Sequence, residues 1–163
     1  PADRFARMAG SEMVLLLGGD LGDPEIELGR AEQAIEARVG SVLARSRDHW
    51  TEPWGFSAPT LFLNRALVVD NRLEPMAALL ECLAIEREQG RERSSSAGSV
   101  SRLIDIDILL IGDRIIDLPG LTVPHPRLHL RRFALAPLAD VWPLWRHPSL
   151  GRTALDLLNT SAS

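Results

Sequence analysis

Arg102-Leu103-Ile104-Asp105-Ile106-Asp107-Ile108-Leu109-Leu110-Ile111-Gly112 is the stretch on which the fold turns. Apolar residues crowd both ends of it, and two aspartates stand two apart in its middle. In a β-strand, residues i and i+2 point to the same face. Asp105 and Asp107 therefore share one face, and Ile104, Ile106 and Ile108 cover the other. Aspartate is disfavoured in strands, and like charges side by side repel. A bound cation removes that objection. Carboxylates at this spacing suit hard divalent ions with oxygen ligands, as phosphoryl transfer requires. The plain alternative is a half-wet strand showing its polar side to water.

Working outward, the chain has 163 residues, enough for one domain with a sizeable core. Its hydrophobic fraction of 45% and charged fraction of 25% are those of an ordinary globular protein. A formal net charge of −4 argues against general affinity for nucleic acid or a membrane surface. No apolar run approaches a membrane span. Pro1 to Ser11 carries arginines without a long apolar core and reads as a loose leader, leaving 12–163 as the single domain. The single cysteine, Cys82, fits a reducing cytoplasm. Lysine is absent and all 18 basic residues are arginine, which excludes a Walker A loop and a Schiff-base lysine. Any anion must be gripped by arginine, whose planar fork matches phosphate oxygens.

In chain order, Glu12–Leu17 predicts a first strand, and Gly18-Gly19-Asp20-Leu21-Gly22 a tight turn without the dinucleotide fingerprint. Asp23-Pro24 predicts a helix start, with Leu28, Ala31, Ile35 and Val39 as its apolar stripe and Gly40 as its end. Ser41–Trp50 predicts a second strand, running into Thr51-Glu52-Pro53-Trp54-Gly55-Phe56, a stiff loop whose aromatics suit a flat ring. A third strand is expected over about Leu61–Asp70, with Asn64 among apolar neighbours and in need of partners. Leu73-Glu74-Pro75 opens a second helix with Met76, Leu79, Leu80 and Leu83 facing inward and Gly90 at its end. Arg91 to Ser101 is small, polar and bracketed by arginines, which suggests a lid closing on phosphates. A His125/His129 pair mimics zinc spacing, but Pro126 interrupts any continuous helix face. Helical character returns over Arg127–Leu138, and the tail with Trp142, Trp145 and a short helix at Thr153–Asn159 reads as packing. The order strand, helix, strand, strand, helix, strand is that of an α+β, ferredoxin-like antiparallel sheet with helices packed on it in a three-layer sandwich.

The assembled residues resemble the 6-hydroxymethyl-7,8-dihydropterin pyrophosphokinase family. The likeness rests on the Arg102–Leu110 strand followed by Leu121-Thr122-Val123-Pro124-His125, with the early glycines, Thr51-Glu52-Pro53-Trp54-Gly55 and Phe62-Leu63-Asn64, and it runs from Val14 to about Leu158. The resemblance implies transfer of pyrophosphate from ATP to the hydroxymethyl group of a reduced pterin, releasing AMP, in folate synthesis. It implies that Asp105 and Asp107 hold two Mg2+ ions on the triphosphate. Arg93, Arg102, His125 and Arg131 would contact ATP phosphates, with Arg91 on the lid and acting in catalysis beside Arg102. Ile108 and Thr122 would line the nucleotide pocket. Thr51, Phe62, Asn64 and Phe133, with the Glu52-Pro53-Trp54 loop, would hold the pterin. No nucleic-acid or membrane partner is expected, and a monomer is.

The chain departs from the family pattern where Ser99-Val100-Ser101 stands in place of Trp-Gly-Pro, and where Gly18-Gly19-Asp20 replaces Gly-Ser-Asn. Leu83 occupies a position often held by glutamine, and Gly120 one held in some members by arginine. A relative that binds ATP or pterin without efficient turnover is therefore a second expectation. An RNA-binding module of the same strand order ranks far lower, because its aromatic signature is missing and the charge is wrong. Ser94–Ser101 offers nothing able to stack on a ring, which leaves Trp54 or Phe56 to cover the acceptor, with Trp54 expected to matter most. Trp54→Ala should weaken pterin binding about threefold to tenfold, since an aromatic stack is worth ~0.5–1.5 kcal/mol. Calorimetric titration of pterin in the presence of magnesium and an ATP analogue reads this directly, and unchanged affinity would remove Trp54 from the pocket.

Overall fold

The computed structural model describes residues 12–52, 61–93 (the last three as backbone only) and 103–161. The elements are β1 (Glu12–Gly19), α1 (Pro24–Arg38), β2 (Gly40–Arg45), β3 (His49–Thr51), β4 (Phe62–Asn71), α2 (Pro75–Arg93) and β5 (Asp105–Ile111). A small hairpin of β6 (Ile116–Leu118) and β7 (Leu121–Val123) follows, then a 3-10 turn (Leu128–Leu130), α3 (Arg132–Val141) and α4 (Ala154–Asn159). The main sheet runs β2-β4-β1-β5, all antiparallel, with β3 pairing β4 beyond the end of β2. This is the ferredoxin-like sandwich expected from the element order.

Alternation along the central strand makes the layers. Met13, Leu15 and Leu17 point into one core with Leu28, Ala31 and Ile35 of α1 and Ala78, Cys82 and Ile85 of α2. Val14 and Leu16 point into a second core with Leu135 and Leu138 of α3, Leu157 of α4, and both Trp142 and Trp145. The tail tryptophans are packing, as expected, and Trp145 Nε1 donates to the Gly112 carbonyl at 2.8 Å. β5 keeps Ile104, Ile106 and Ile108 in the first core. A bulge opposite Val14/Leu15 then lets Leu109 and Leu110 both join the second.

Several local expectations need correction. Asp23 does cap α1, its Oδ1 accepting from Ile26 N at 3.4 Å, but Gly40 is not a left-handed stop. It begins β2, where a Cβ would lie 2.0 Å from the Asp70 carbonyl oxygen. The single strand expected over Ser41–Trp50 is two strands. Ser46 breaks it, because its Oγ accepts the Ala66 N–H at 2.9 Å while its own N–H donates to the Ala66 carbonyl. On α2 the fully buried stripe is Ala78, Cys82 and Ile85, with Met76 and Leu79 packed against the same core as expected, whereas Leu80 is 58% exposed. Small residues there let the helix lie close to the sheet. The helix also continues past Gly90 to Arg93. Two turns below that end, Glu86 reaches from α2 to the outer edge of β5, where its Oε2 accepts the Ile106 N–H at 2.6 Å. Burial beside Glu86 and Glu81 pushes the Cys82 thiol up to about 12.

At the start of β1, the Glu12 carboxylate is fully buried opposite Asp70, and among the described residues no other residue donates a hydrogen bond to either of its oxygens. Burial raises its pKa above 4.5, and the Asp70 charge adds to this against the Glu12 backbone hydrogen bond. The folded state thus holds the proton more tightly than the unfolded chain. Stability conferred by the neutral form is complete below about pH 4.5 and falls as pH rises through the folded pKa. Glu12→Gln should therefore raise the urea midpoint at pH 7–8 and match wild type near pH 4. A lower midpoint for the variant at neutral pH would show that the charge is accommodated.

Candidate functional site

The registers of β1 bring separate strands into one lateral row. Asp105 of β5 lies opposite Gly18 of β1, Gly18 lies opposite Asn64 of β4, and Asn64 lies opposite His49 of β3. Residues opposed in an antiparallel ladder share a face. Adjacent strands are about 4.8 Å apart, so the row spans about 14 Å between the Cα atoms of His49 and Asp105. It faces the α3 side, because Ile104, Ile106 and Ile108 occupy the other side of β5. Asp107, opposite Leu16, sits in the next row on the same face, and both aspartates are half-buried.

Gly18 makes the middle of the row shallow. The Phe62 ring lies against it, so that a Cβ there would fall 2.6 Å from Phe62 Cε1 and 3.2 Å from Asn64 Oδ1. At Gly19 a Cβ would meet the Leu103 carbonyl oxygen at 2.6 Å. These glycines complete β1 rather than forming the expected turn, which falls on Gly22 with its φ of +64°. Asn64 is 2% exposed, and its Nδ2 approaches Thr51 Oγ1 at 3.5 Å. The Thr51 hydroxyl in turn approaches the Phe62 carbonyl at 3.5 Å. Thr51, Phe62 and Asn64 thus form one continuous patch, from which Glu52 extends into solvent.

On the aspartate side, the chain leaves β7 through a cis Val123–Pro124 peptide into His125, whose N–H donates to the Leu109 carbonyl at 2.8 Å. His125 Nδ1 accepts from Arg127 N at 3.1 Å, which puts the proton of the neutral ring on Nε2. Burial lowers the His125 pKa below 6.5, helped by Arg131 and Arg127 and opposed by Asp107. The ring is therefore neutral at pH 7. Arg131 caps α3, with its guanidinium carbon 5.5 Å from the centroid of the Phe133 ring, which is 37% exposed. Thr122 is exposed on β7 opposite Asp117, and Ile108 is buried in the first core, across the strand from the aspartates. Pro53, Trp54, Arg102 and the expected lid over Ser94–Ser101 lie outside the described residues, as do the side chains of Arg91 and Arg93.

Reading the sequence misses Glu86 and the pair His49/Asp140. Glu86 has a local signal, being an acid one position past Ile85 on a helix whose stripe is Ala78, Cys82 and Ile85. His49 and Asp140 are 91 positions apart and have none. Among the described residues, no three His, Cys, Asp or Glu side chains gather into a cage for a metal ion. The two-aspartate donor set instead fits magnesium, which keeps most of its shell for water and phosphate oxygens and takes one or two protein carboxylates.

Comparison with known proteins agrees with this architecture. The family model described as 7,8-dihydro-6-hydroxymethylpterin-pyrophosphokinase matches residues 14–143. A Porphyromonas gingivalis 2-amino-4-hydroxy-6-hydroxymethyldihydropteridine pyrophosphokinase is 43% identical over 136 residues, covering 82% of this chain and 92% of the relative. The Pseudomonas aeruginosa protein of the same description is 38% identical over 143 residues, covering 87% and 86%. Among solved structures, a Plasmodium falciparum HPPK-DHPS triple mutant superposes with a TM-score of 0.74 at 18% identity, a likeness of fold. It covers 91% of this chain, which spans only 44% of that longer one. Fold and comparisons together define a pterin-pyrophosphokinase type of α+β domain. The chain belongs to the 7,8-dihydro-6-hydroxymethylpterin-pyrophosphokinase family.

Gly18→Ala tests the shallow centre of the row. The new methyl must displace the Phe62 ring, and overpacking of this kind costs about 1–3 kcal/mol. Thermal unfolding should show that loss, and binding of a flat ligand to the Asn64 patch should fall with it. Wild-type stability and binding would mean that the ring moves aside freely.

Proposed function

We propose that this protein transfers pyrophosphate from ATP to the hydroxymethyl group of 6-hydroxymethyl-7,8-dihydropterin and releases AMP. The observation that carries the reading is the shared face of β1, β4 and β5, where Asp105 and Asp107 stand beside Gly18, Asn64 and Phe62. The aspartates would hold magnesium, which when bound neutralises and orients the triphosphate oxygens. The acceptor's flat ring would lie over Gly18, with Asn64 reading its amide-like edge and Phe62 and Phe133 stacking. Stacking from both sides excludes water, the competing nucleophile. The hydroxymethyl oxygen then attacks the β-phosphorus in line, and the bond from that phosphorus to the bridging oxygen of the α-phosphate breaks. AMP leaves with that bond pair, and the hydroxyl proton passes to solvent.

His125, neutral and with its proton on Nε2, is suited to donate a hydrogen bond to a phosphate oxygen near Asp107. Arg131 would add a positive charge from the start of α3, and Arg91, Arg93 and Arg102 would do so from the lid. Positioning and charge neutralisation are the main work in such a transfer. Substitution of Ser99-Val100-Ser101 for an aromatic lid favours a second reading, a relative that binds ATP or pterin without efficient turnover. No helix among the described residues is long and apolar enough to cross a membrane. A cytoplasmic monomer goes with this reading, and the free, buried Cys82 is compatible with a reducing compartment.

AMP should appear only when ATP, magnesium and the hydroxymethyl pterin are all present. Asp105→Ala and Asp107→Ala should each lower turnover by at least ~10²-fold, on the scale of losing one preorganised electrostatic contact. Their metal-free stability should equal or slightly exceed that of wild type, because a like-charge contact is relieved. Near wild-type turnover in either variant at saturating magnesium would exclude the paired-carboxylate reading. Binding of both ligands without AMP release by the wild type would favour the second.

A further inference from the structure

Asp140, near the C-terminal end of α3, is held by three hydrogen bonds from Arg47, in the segment that links β2 to β3, and by one contact from His49, the first residue of β3. Its Oδ2 accepts from Arg47 N and Arg47 Nε, each at 3.2 Å, and its Oδ1 accepts from Arg47 Nη2 at 3.0 Å. His49 Nε2 closes on Oδ2 at 2.8 Å. The two side chains of that last contact are mostly enclosed, 21% exposed for His49 and 16% for Asp140. Burial pushes the Asp140 carboxyl up, yet the bonds from Arg47 and His49 outweigh it and hold the group below its usual range. The carboxylate is thus committed to these partners at neutral pH.

The position of this contact matters because of what each partner carries. β3 is three residues long and, among the described residues, its ladder is to β4 alone. His49 stands beside Asn64 in the lateral row, and Thr51 follows two residues later on the same face. On the other side, Asp140 and Phe133 are seven apart on α3, two helical turns, so they project from the same side of the helix. One wall of the acceptor site is Thr51, Phe62 and Asn64, and the other is Phe133. Of the first wall, Phe62 and Asn64 stand on β4 inside the sheet and only Thr51 on the short β3, while the second wall is a helix start. His49 also lies about 14 Å across the row from Asp105, too far to touch a hydroxyl at the aspartates.

We propose that His49 and Asp140 form a clasp that fixes the spacing between the β3/β4 wall and the α3 wall of the acceptor site, making both positioning residues for pterin binding. This rests on the assignment of a pterin to those walls under the proposed function. A looser gap leaves the ring stacked on one side only, so the acceptor's affinity falls while the triphosphate end is untouched.

The test pairs steady-state AMP release with calorimetric titration of hydroxymethyl-dihydropterin in the presence of magnesium and a non-hydrolysable ATP analogue. His49→Ala should raise the pterin KM and Kd about tenfold, the scale of one hydrogen bond to a charged group. The kcat and the analogue's own Kd should stay within about twofold, since the perturbed wall lies at the far end of the row. His49→Gln, which restores a donor, should recover most of the affinity. Asp140→Ala combined with His49→Ala should lose little more than Asp140→Ala alone. Unchanged pterin affinity in His49→Ala, or a parallel loss of pterin and nucleotide affinity, would overturn the clasp. If His49→Ala does not fold, His49→Gln and Asp140→Asn decide the matter by the same two affinities. A wild type that binds no pterin would sink the acceptor assignment itself and the clasp with it, whereas equal binding by wild type and variants sinks the clasp alone.

Discussion

The hydrogen-bonded registers of β1 with its two neighbours are the constraint on which the chemistry of this molecule depends. Because β1 lies between β4 and β5, its two ladders decide that Asp105 meets Gly18 and that Gly18 meets Asn64. A slip by one residue in either pairing would turn the aspartates or the asparagine into an apolar core. Packing on both faces guards against that slip. Met13, Leu15 and Leu17 are sealed under α1 and α2, and Val14 and Leu16 under α3 and α4. The polar face at the end of β1 is therefore positioned by hydrophobic burial elsewhere along the same strand.

Much of this was legible from residue order. The aspartates of β5 share a face because strand period is two, and that inference needs no tertiary information. The capped start of α1 and the element order were readable for similar reasons. Misreadings cluster where a distant backbone determines the answer. Gly40 resembles a helix stop until the Asp70 carbonyl is seen pressed against it. Gly18 and Gly19 resemble a turn until Phe62 and Leu103 are placed. On α2, Met76 and Leu79 do pack on the core, but Leu80 draws the eye off the buried stripe, where close packing on a sheet selects Ala78 and Cys82. The site divides the same way. Asp105, Asp107, Asn64 and His125 could be named from local pattern and family likeness, whereas the His49–Asp140 contact joins residues with no local relationship.

The arrangement also separates two kinds of demand. On the aspartate side, His125 feels the charges of Arg131, Arg127 and Asp107, groups that tolerate water. Asn64 itself is enclosed, beside Gly18 and the Phe62 ring, so its hydrogen bonds gain from dryness. Gly18 stands at the boundary and contributes no side chain to either.

The bond from Glu86 to the Ile106 N–H has a consequence for the protein's social behaviour. β5 is the outer strand of the sheet, and an outer strand presents unpaired donors to which another chain can add. By spending a buried carboxylate on one of those donors, α2 denies it to a newcomer. The opposite border is broken at Ser46 and studded with Arg45, Arg47 and Asp48. Both borders of the sheet are thus poor templates for strand addition, and the long, strongly apolar β1 is kept between them, where a neighbouring molecule cannot reach it.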